Sequence, residues 1–171
     1  MKTEFKLGDN VVYPMHGVGV IDRIEEKSIL GNKQLYYVLK LSVSDMTSMI
    51  PVDKSQKLGL RACTLSKGIE EAFQLLREIP EDVEEDWKSR YNHNLNLVKN
   101  GSLLDISQVV RNLFHRNLVK ELSNTEKKLF EFALQLMVDE ISAVAHLDKI
   151  EVEDTITRLL ENAAEKNLVV E

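Results

Sequence analysis

Residues 59–76 read GLRACTLSKGIEEAFQLL, and within this stretch the spacing of the apolar residues changes. After Leu65 they recur about every 3.6 residues, so that Ile69, Phe73 and Leu76 fall on one helical stripe. Ser66 stands where a helix cap is needed, and Pro80 cannot sit in a helix interior.

Toward the amino terminus the period is two. Short runs rich in β-branched and aromatic residues, at 11–13, 18–24, 35–41 and 46–50, read as strands. In the third run Leu35, Tyr37, Leu39 and Leu41 share one face, while Tyr36, Val38 and Lys40 share the other. Gly31-Asn32 supplies the positive φ of a tight hairpin, and Gly8-Asp9, Gly17, Gly19 and residues 42–45 mark further turns. Four or five short strands with no helical period among them suit a small antiparallel barrel, because closure leaves few exposed edges.

Toward the carboxy terminus each apolar stripe carries helix punctuation. Asp82 with Glu85 resembles a capping box ahead of Trp87, Tyr91, Leu95 and Val98, and Gly101 ends that helix. Ser102 with Asp105 opens a third helix along Ile106, Val109, Val110, Leu113 and Phe114. Ser123 with Glu126 opens a fourth through Leu129, Ala133, Leu136, Met137, Ile141 and Val144, and a fifth carries Ile156, Leu159, Leu160 and Ala163. The expected fold class is therefore α+β, with a barrel over residues 1–64 and a compact all-α bundle of about five helices over residues 65–171.

The chain has 171 residues with a formal charge of −6, which argues against coating nucleic acid by bulk positive charge. Its single Cys63 cannot form an intramolecular disulfide, and four scattered histidines give no pair at zinc-ligand spacing, so no structural metal is expected. Charged residues occupy the first positions, where a signal peptide needs an apolar run, and no stretch approaches about 18 uncharged apolar residues. A soluble, cytoplasmic chain without membrane contact is the expectation.

Charge is segregated along the helical part. Residues 87–128 hold eight basic side chains against three acidic ones, while the flanking segments 65–86 and 129–171 are strongly acidic. A basic block reads either as a phosphate-facing surface or as a solvated helix face. The single tryptophan, Trp87, lies within it. Spaced four and eight residues before Tyr91 and Leu95, it suits a core anchor; at a helix start beside Lys88 and Arg90, it also suits an apolar wedge in the minor groove.

Catalytic signals are weak. Gly17-Val18-Gly19 lacks the helix that a phosphate loop needs, and His16 lies in the same turn with no acid or nucleophile fixed near it. His93 and His115 fall on or near the basic helices, where they read first as partly exposed histidines and second as support for phosphate contact. Glu84-Glu85-Asp86 point in different directions on a helix, and dipole complementation accounts for them. Neither an enzyme nor a bound cofactor is expected.

The order of features resembles a known family. Lys6-Leu7-Gly8-Asp9-Asn10-Val11-Val12-Tyr13-Pro14 is followed by His16-Gly17-Val18-Gly19, by Tyr36-Tyr37-Val38-Leu39 and by Met49-Ile50-Pro51-Val52. Gly59-Leu60-Arg61, Asp86-Trp87-Lys88-Ser89-Arg90-Tyr91 and Ser123-Asn124-Thr125-Glu126-Lys127-Lys128 come after. Over nearly its whole length the chain resembles the CarD/CdnL family of bacterial transcription regulators.

That resemblance implies a Tudor- or SH3-like domain binding the β subunit of RNA polymerase and a helical domain contacting promoter DNA weakly and with little sequence preference. Trp87 matches the tryptophan held to wedge into the minor groove at the upstream edge of the bubble, stabilising the open complex. Lys88, Arg90, Arg116, Lys127 and Lys128 fall on the DNA-facing side, and Lys27, Met49, Ile50 and Pro51 in the polymerase-facing region. Two positions where the family uses arginine toward polymerase are here Lys27, which keeps the charge without the planar fork, and Met49, which loses it. A basic position after the tryptophan is here Asn92. A monomer is the simple expectation for such a bridge. The competing reading is a protein-only adaptor with Trp87 buried as core and no DNA contact.

Overall fold

Alternating β-branched and aromatic side chains build five antiparallel strands: β1 (Asn10–Tyr13), β2 (Gly17–Ile29), β3 (Asn32–Leu41), β4 (Thr47–Pro51) and β5 (Arg61–Ala62). Five helices follow: α1 (Ser66–Leu76), α2 (Trp87–Asn100), α3 (Leu103–Val119), α4 (Asn124–Ala145) and α5 (Lys149–Leu168). The computed structural model describes residues 3–29, 31–42, 46–81 and 86–168. It divides into two units, Met1–Cys63 and Thr64–Glu171. The architecture is the expected α+β class, a Tudor-like sheet domain and a helical bundle.

The strand order is β4-β3-β2-β1-β5. Phe5, Val11, Ile21, Tyr37, Leu39, Ile50 and Leu60 form the core on one side of the sheet. The Tyr37 hydroxyl accepts hydrogen bonds from the backbone N–H groups of Glu4 and Phe5, at 3.0 and 3.2 Å, and the Phe5 ring meets Tyr37 edge-on at 5.8 Å. The amino-terminal segment is thereby pinned over the sheet.

Tyr36 and Val38 are buried as well as Tyr37 and Leu39, so β3 is covered on both faces. Two strand expectations change. β2 runs to Ile29 instead of ending at Ile24, because Glu25, Glu26, Lys27, Ser28 and Ile29 pair with β3 in a solvated ribbon where the apolar alternation carries no signal. A register shift between Ile21 and Arg23 bends that long strand. Among the described residues no ladder joins β4 to β5, so both remain edges, kept short at five and two residues. At the β2–β3 hairpin Gly31 takes the positive φ of 82°, while Asn32 is already paired with Ile29. Of the turn at residues 42–45, positions 43–45 lie outside the described residues.

In the helical unit α3 is central and packs against the other four helices. Its buried Ile106, Val109, Val110 and Leu113 meet an α4 whose residues 136–141 are all buried. The caps expected at Ser102 and Ser123 form: Ser102 accepts from the Asp105 N–H at 3.0 Å, and Ser123 and Glu126 make a reciprocal capping box. Ser66 is not a cap. It is the first residue of α1, preceded by Leu65 in extended backbone with no side-chain bond. The proposed box at Asp82 and Glu85 lies outside the described residues, and α2 starts after Asp86, whose side chain makes no capping bond.

Candidate nucleic-acid interface

Trp87 is the first residue of α2 and is 50% exposed. Its spacing to Tyr91 and Leu95 is that of a core stripe, but the neighbours that bury the helix begin one turn later. Tyr91 and Leu95 are half-buried, and Asn94 and Val98 are fully buried. A side chain in the first turn points back toward the helix start, and here that carries the indole past the end of the packed surface. The core-anchor reading is thus corrected to a half-exposed ring. The Lys88 ammonium lies 5.7 Å from the ring centroid, within cation–π range.

Arg90 joins this turn to another. Its Nε and Nη2 each lie 2.8 Å from Glu126 Oε1, and Glu126 Oε2 accepts from the Ser123 N–H at 3.2 Å and from its hydroxyl at 2.9 Å. Glu126 is buried. Burial alone raises its carboxyl, but the Ser123 and Arg90 hydrogen bonds and the Arg90 charge outweigh that and hold it below the ordinary carboxylate range. The pair therefore brackets the first turns of α2 and α4 together. Two helix amino-termini, each a positive dipole end, lie side by side, with Trp87 and Lys88 in the first turn of α2 and Lys127 and Lys128 just inside the start of α4.

Lys128 is exposed, while Lys127 is half-buried and bonded to the exposed Glu121, whose carboxyl its hydrogen bond and charge lower. Arg116, in the last turn of α3, is half-buried and lines a cleft that Arg90 and His93 also line. Arg90 thus faces a buried carboxylate, whereas Lys88 and Lys128 are exposed.

On the sheet unit, Lys27 and Met49 meet. The Lys27 ammonium lies 3.1 Å from a Glu25 carboxylate oxygen and 3.2 Å from the Met49 sulfur. Both side chains are exposed beside edge strand β4, and Pro51 closes that strand opposite Tyr36. Ile50 does not join them. It is 2% exposed and belongs to the core, as alternation along a strand requires of the residue between Met49 and Pro51. Its side chain is removed from the polymerase-facing set.

The remaining candidates are ordinary. His16 stacks on Tyr13 at 4.5 Å, Asp86 precedes α2, and Glu84 and Glu85 lie outside the described residues. Among the described residues no group of three His, Cys, Asp or Glu side chains could hold a metal, and no helix is long and apolar enough to cross a membrane. The sequence reading overlooked Asn94. A polar residue on the apolar stripe between Tyr91 and Val98 is the signal that marks it.

Residues 5–63 match the family described as the CarD-like/TRCF RID domain, and residues 71–157 match the CarD C-terminal domain. The chain is also 36% identical over 140 residues to "Putative transcription factor YdeB" of Bacillus subtilis (strain 168), an alignment covering 82% of this chain and 92% of that one.

Proposed function

This chain belongs to the CarD family of transcription factors, and on that premise we propose that it bridges the β subunit of RNA polymerase and promoter DNA, stabilising the open complex. The family is one of transcription regulators rather than an enzyme class, and its RID domain implies interaction with RNA polymerase. In this reading the β4 edge beside Lys27, Met49 and Pro51 docks on polymerase. A strand edge gains main-chain hydrogen bonds with little demand on side chains, which tolerates the loss of arginine at positions 27 and 49. Trp87 enters the minor groove at the upstream edge of the bubble, and Lys88, Arg116, Lys127 and Lys128 approach phosphates.

The observation that carries the proposal is the half-exposed Trp87 at a cationic helix start. An indole with about half its surface free offers ~100 Å² for burial, worth ~2–3 kcal/mol, against a few kcal/mol for unstacking one base step. The wedge alone is then near neutral. Non-specific DNA affinity is only about 10⁻⁴ to 10⁻⁶ M at physiological salt, so delivery by polymerase supplies the effective concentration that the grip lacks. The adaptor reading required a buried Trp87, and no observation favours it.

The test is open-complex lifetime on a housekeeping promoter with the cognate polymerase, comparing wild type with Trp87→Ala after circular dichroism has established that both are folded. Wild type lengthens the lifetime and the folded variant does not. No effect of wild type overturns the bridging role.

A further inference from the structure

A cleft of about 1520 Å³ opens in the helical unit between the end of α1, α2, the second half of α3 and the last turns of α5. Its walls are partly apolar, with Ile79, Phe114 and Leu118 among them. Polar groups without partners lie among this lining. Asn94 is 1% exposed, and neither its amide nitrogen nor its carbonyl oxygen has a hydrogen-bond partner. Nε2 of His115 is likewise buried and unpartnered. Burial, and then the neighbouring Arg111 charge, lower the imidazole pKa below its ordinary value, which favours the neutral ring.

A buried carboxamide left unpaired costs about 1–3 kcal/mol, so native structures rarely keep one without a use. Asn94 carries a donor and an acceptor on one buried carboxamide of this lining, the complement of a nucleobase edge, and Phe114 of the same lining supplies an aromatic wall for a planar ring. Arg116 lies on the same lining as a cation for a phosphate, Arg90 and Arg111 of that lining facing Glu126 and Glu78, while Glu81, Glu161 and Glu165 repel a polyphosphate tail. We infer that this cleft binds a nucleobase carrying a single phosphate, read at its edge by Asn94 and His115.

Two sources supply that chemistry. One is a free nucleoside monophosphate. The other is a base extruded from single-stranded DNA, and this source rests on the proposed promoter contact. Asn94 follows Trp87 by seven residues, which places both on one face of α2 about 10 Å apart along its axis. A wedge that unstacks a base step would leave an unpaired base near the cleft.

The experiment uses the full chain labelled with ¹⁵N and follows the Asn94 side-chain amide and the His115 imidazole. The four deoxynucleoside monophosphates, a single-stranded hexanucleotide, its duplex and inorganic phosphate are titrated in turn. At least one nucleotide or the single strand shifts both resonances, while inorganic phosphate does not. Asn94→Leu weakens that binding about tenfold or more and leaves the thermal midpoint unchanged or raised, because it removes an unsatisfied buried group. His115→Leu, at a half-buried position, provides the same comparison if Asn94→Leu does not fold.

Tighter binding of the single strand than of every monophosphate assigns the extruded base, and equal or weaker binding assigns the free nucleotide. Absence of shifts at millimolar ligand, leaving a hydrated cleft only, overturns the inference. So does binding that both variants retain. Trp87→Ala separates this site from the promoter contact: nucleobase binding that survives in a variant unable to stabilise open complexes leaves both readings standing. A lifetime effect without nucleobase binding sinks the cleft alone, and the reverse sinks the bridge alone.

Discussion

Trp87 and Arg90 lie three residues apart on α2 and divide the labour between surface and scaffold. The indole is half-exposed, so Trp87→Ala costs only about 1 kcal/mol in urea unfolding, well short of the roughly 3–5 kcal/mol of a buried aromatic. A larger loss would mean that the ring is core after all. Arg90, whose side chain is 17% exposed, holds a Glu126 side chain that is 3% exposed. Removing one partner of a buried pair leaves the other charge unpaired, and after allowance for partial solvation Arg90→Ala loses about 2–3 kcal/mol. Arg90→Lys falls between, because an ammonium lacks the fixed geometry by which two guanidinium nitrogens converge on Glu126 Oε1. DNA contact that declines only in proportion to the unfolded fraction of these variants identifies Arg90 as scaffold, and a decline in the folded fraction itself identifies it as a positioning residue. At this scale the sequence was only partly legible. A cation beside a tryptophan looks the same whether it faces phosphate or a buried carboxylate, and Glu126 is 36 positions away in the chain.

At the scale of elements, local rules performed as their physics allows. Capping chemistry involves neighbours within four residues, so Ser102 and the Ser123–Glu126 box could be read directly, whereas Ser66 was misplaced by one residue because α1 begins without a side-chain cap. Alternation along β4 likewise identifies Ile50 as core once Met49 is taken as exposed. The extension of β2 was not legible, since cross-strand pairing with β3 rather than an apolar pattern holds it. The capping box also carries a pH dependence. The Glu126 carboxyl is held below its ordinary value in the folded chain, so it binds protons less readily there than when unfolded. Its stabilisation is therefore fully present above the unfolded carboxylate value of about 4.3 and is lost as pH falls through the lower folded value. Urea midpoints measured from pH 6 down to pH 3 fall for wild type. In Glu126→Gln, which starts lower because Arg90 loses its counter-charge, the decline is shallower. Parallel curves would show that the pair contributes nothing to acid sensitivity.

For the whole molecule, a net charge of −6 and the proposed DNA contact are reconciled only if the basic turns act where polymerase delivers them. Two surfaces on two units must then be used in one complex, and their defects combine in a characteristic way. Charge reversal at the sheet edge, Lys27→Glu, weakens polymerase binding while the chain stays folded, because the side chain is exposed and its partners Glu25 and Met49 lie at the surface. Lys128→Ala on α4 leaves polymerase binding intact and removes one phosphate contact, reducing the slope of log affinity against log salt by about 0.9. In a bridge, raising protein concentration rescues the first variant, since mass action restores occupancy of polymerase. It does not rescue Trp87→Ala, which occupies the complex without holding the DNA. Open-complex lifetimes measured across a concentration series therefore rise to the wild-type plateau for Lys27→Glu and to a lower plateau for Trp87→Ala. A common plateau for both variants would place the whole effect in polymerase binding and leave the exposed tryptophan without a part in it.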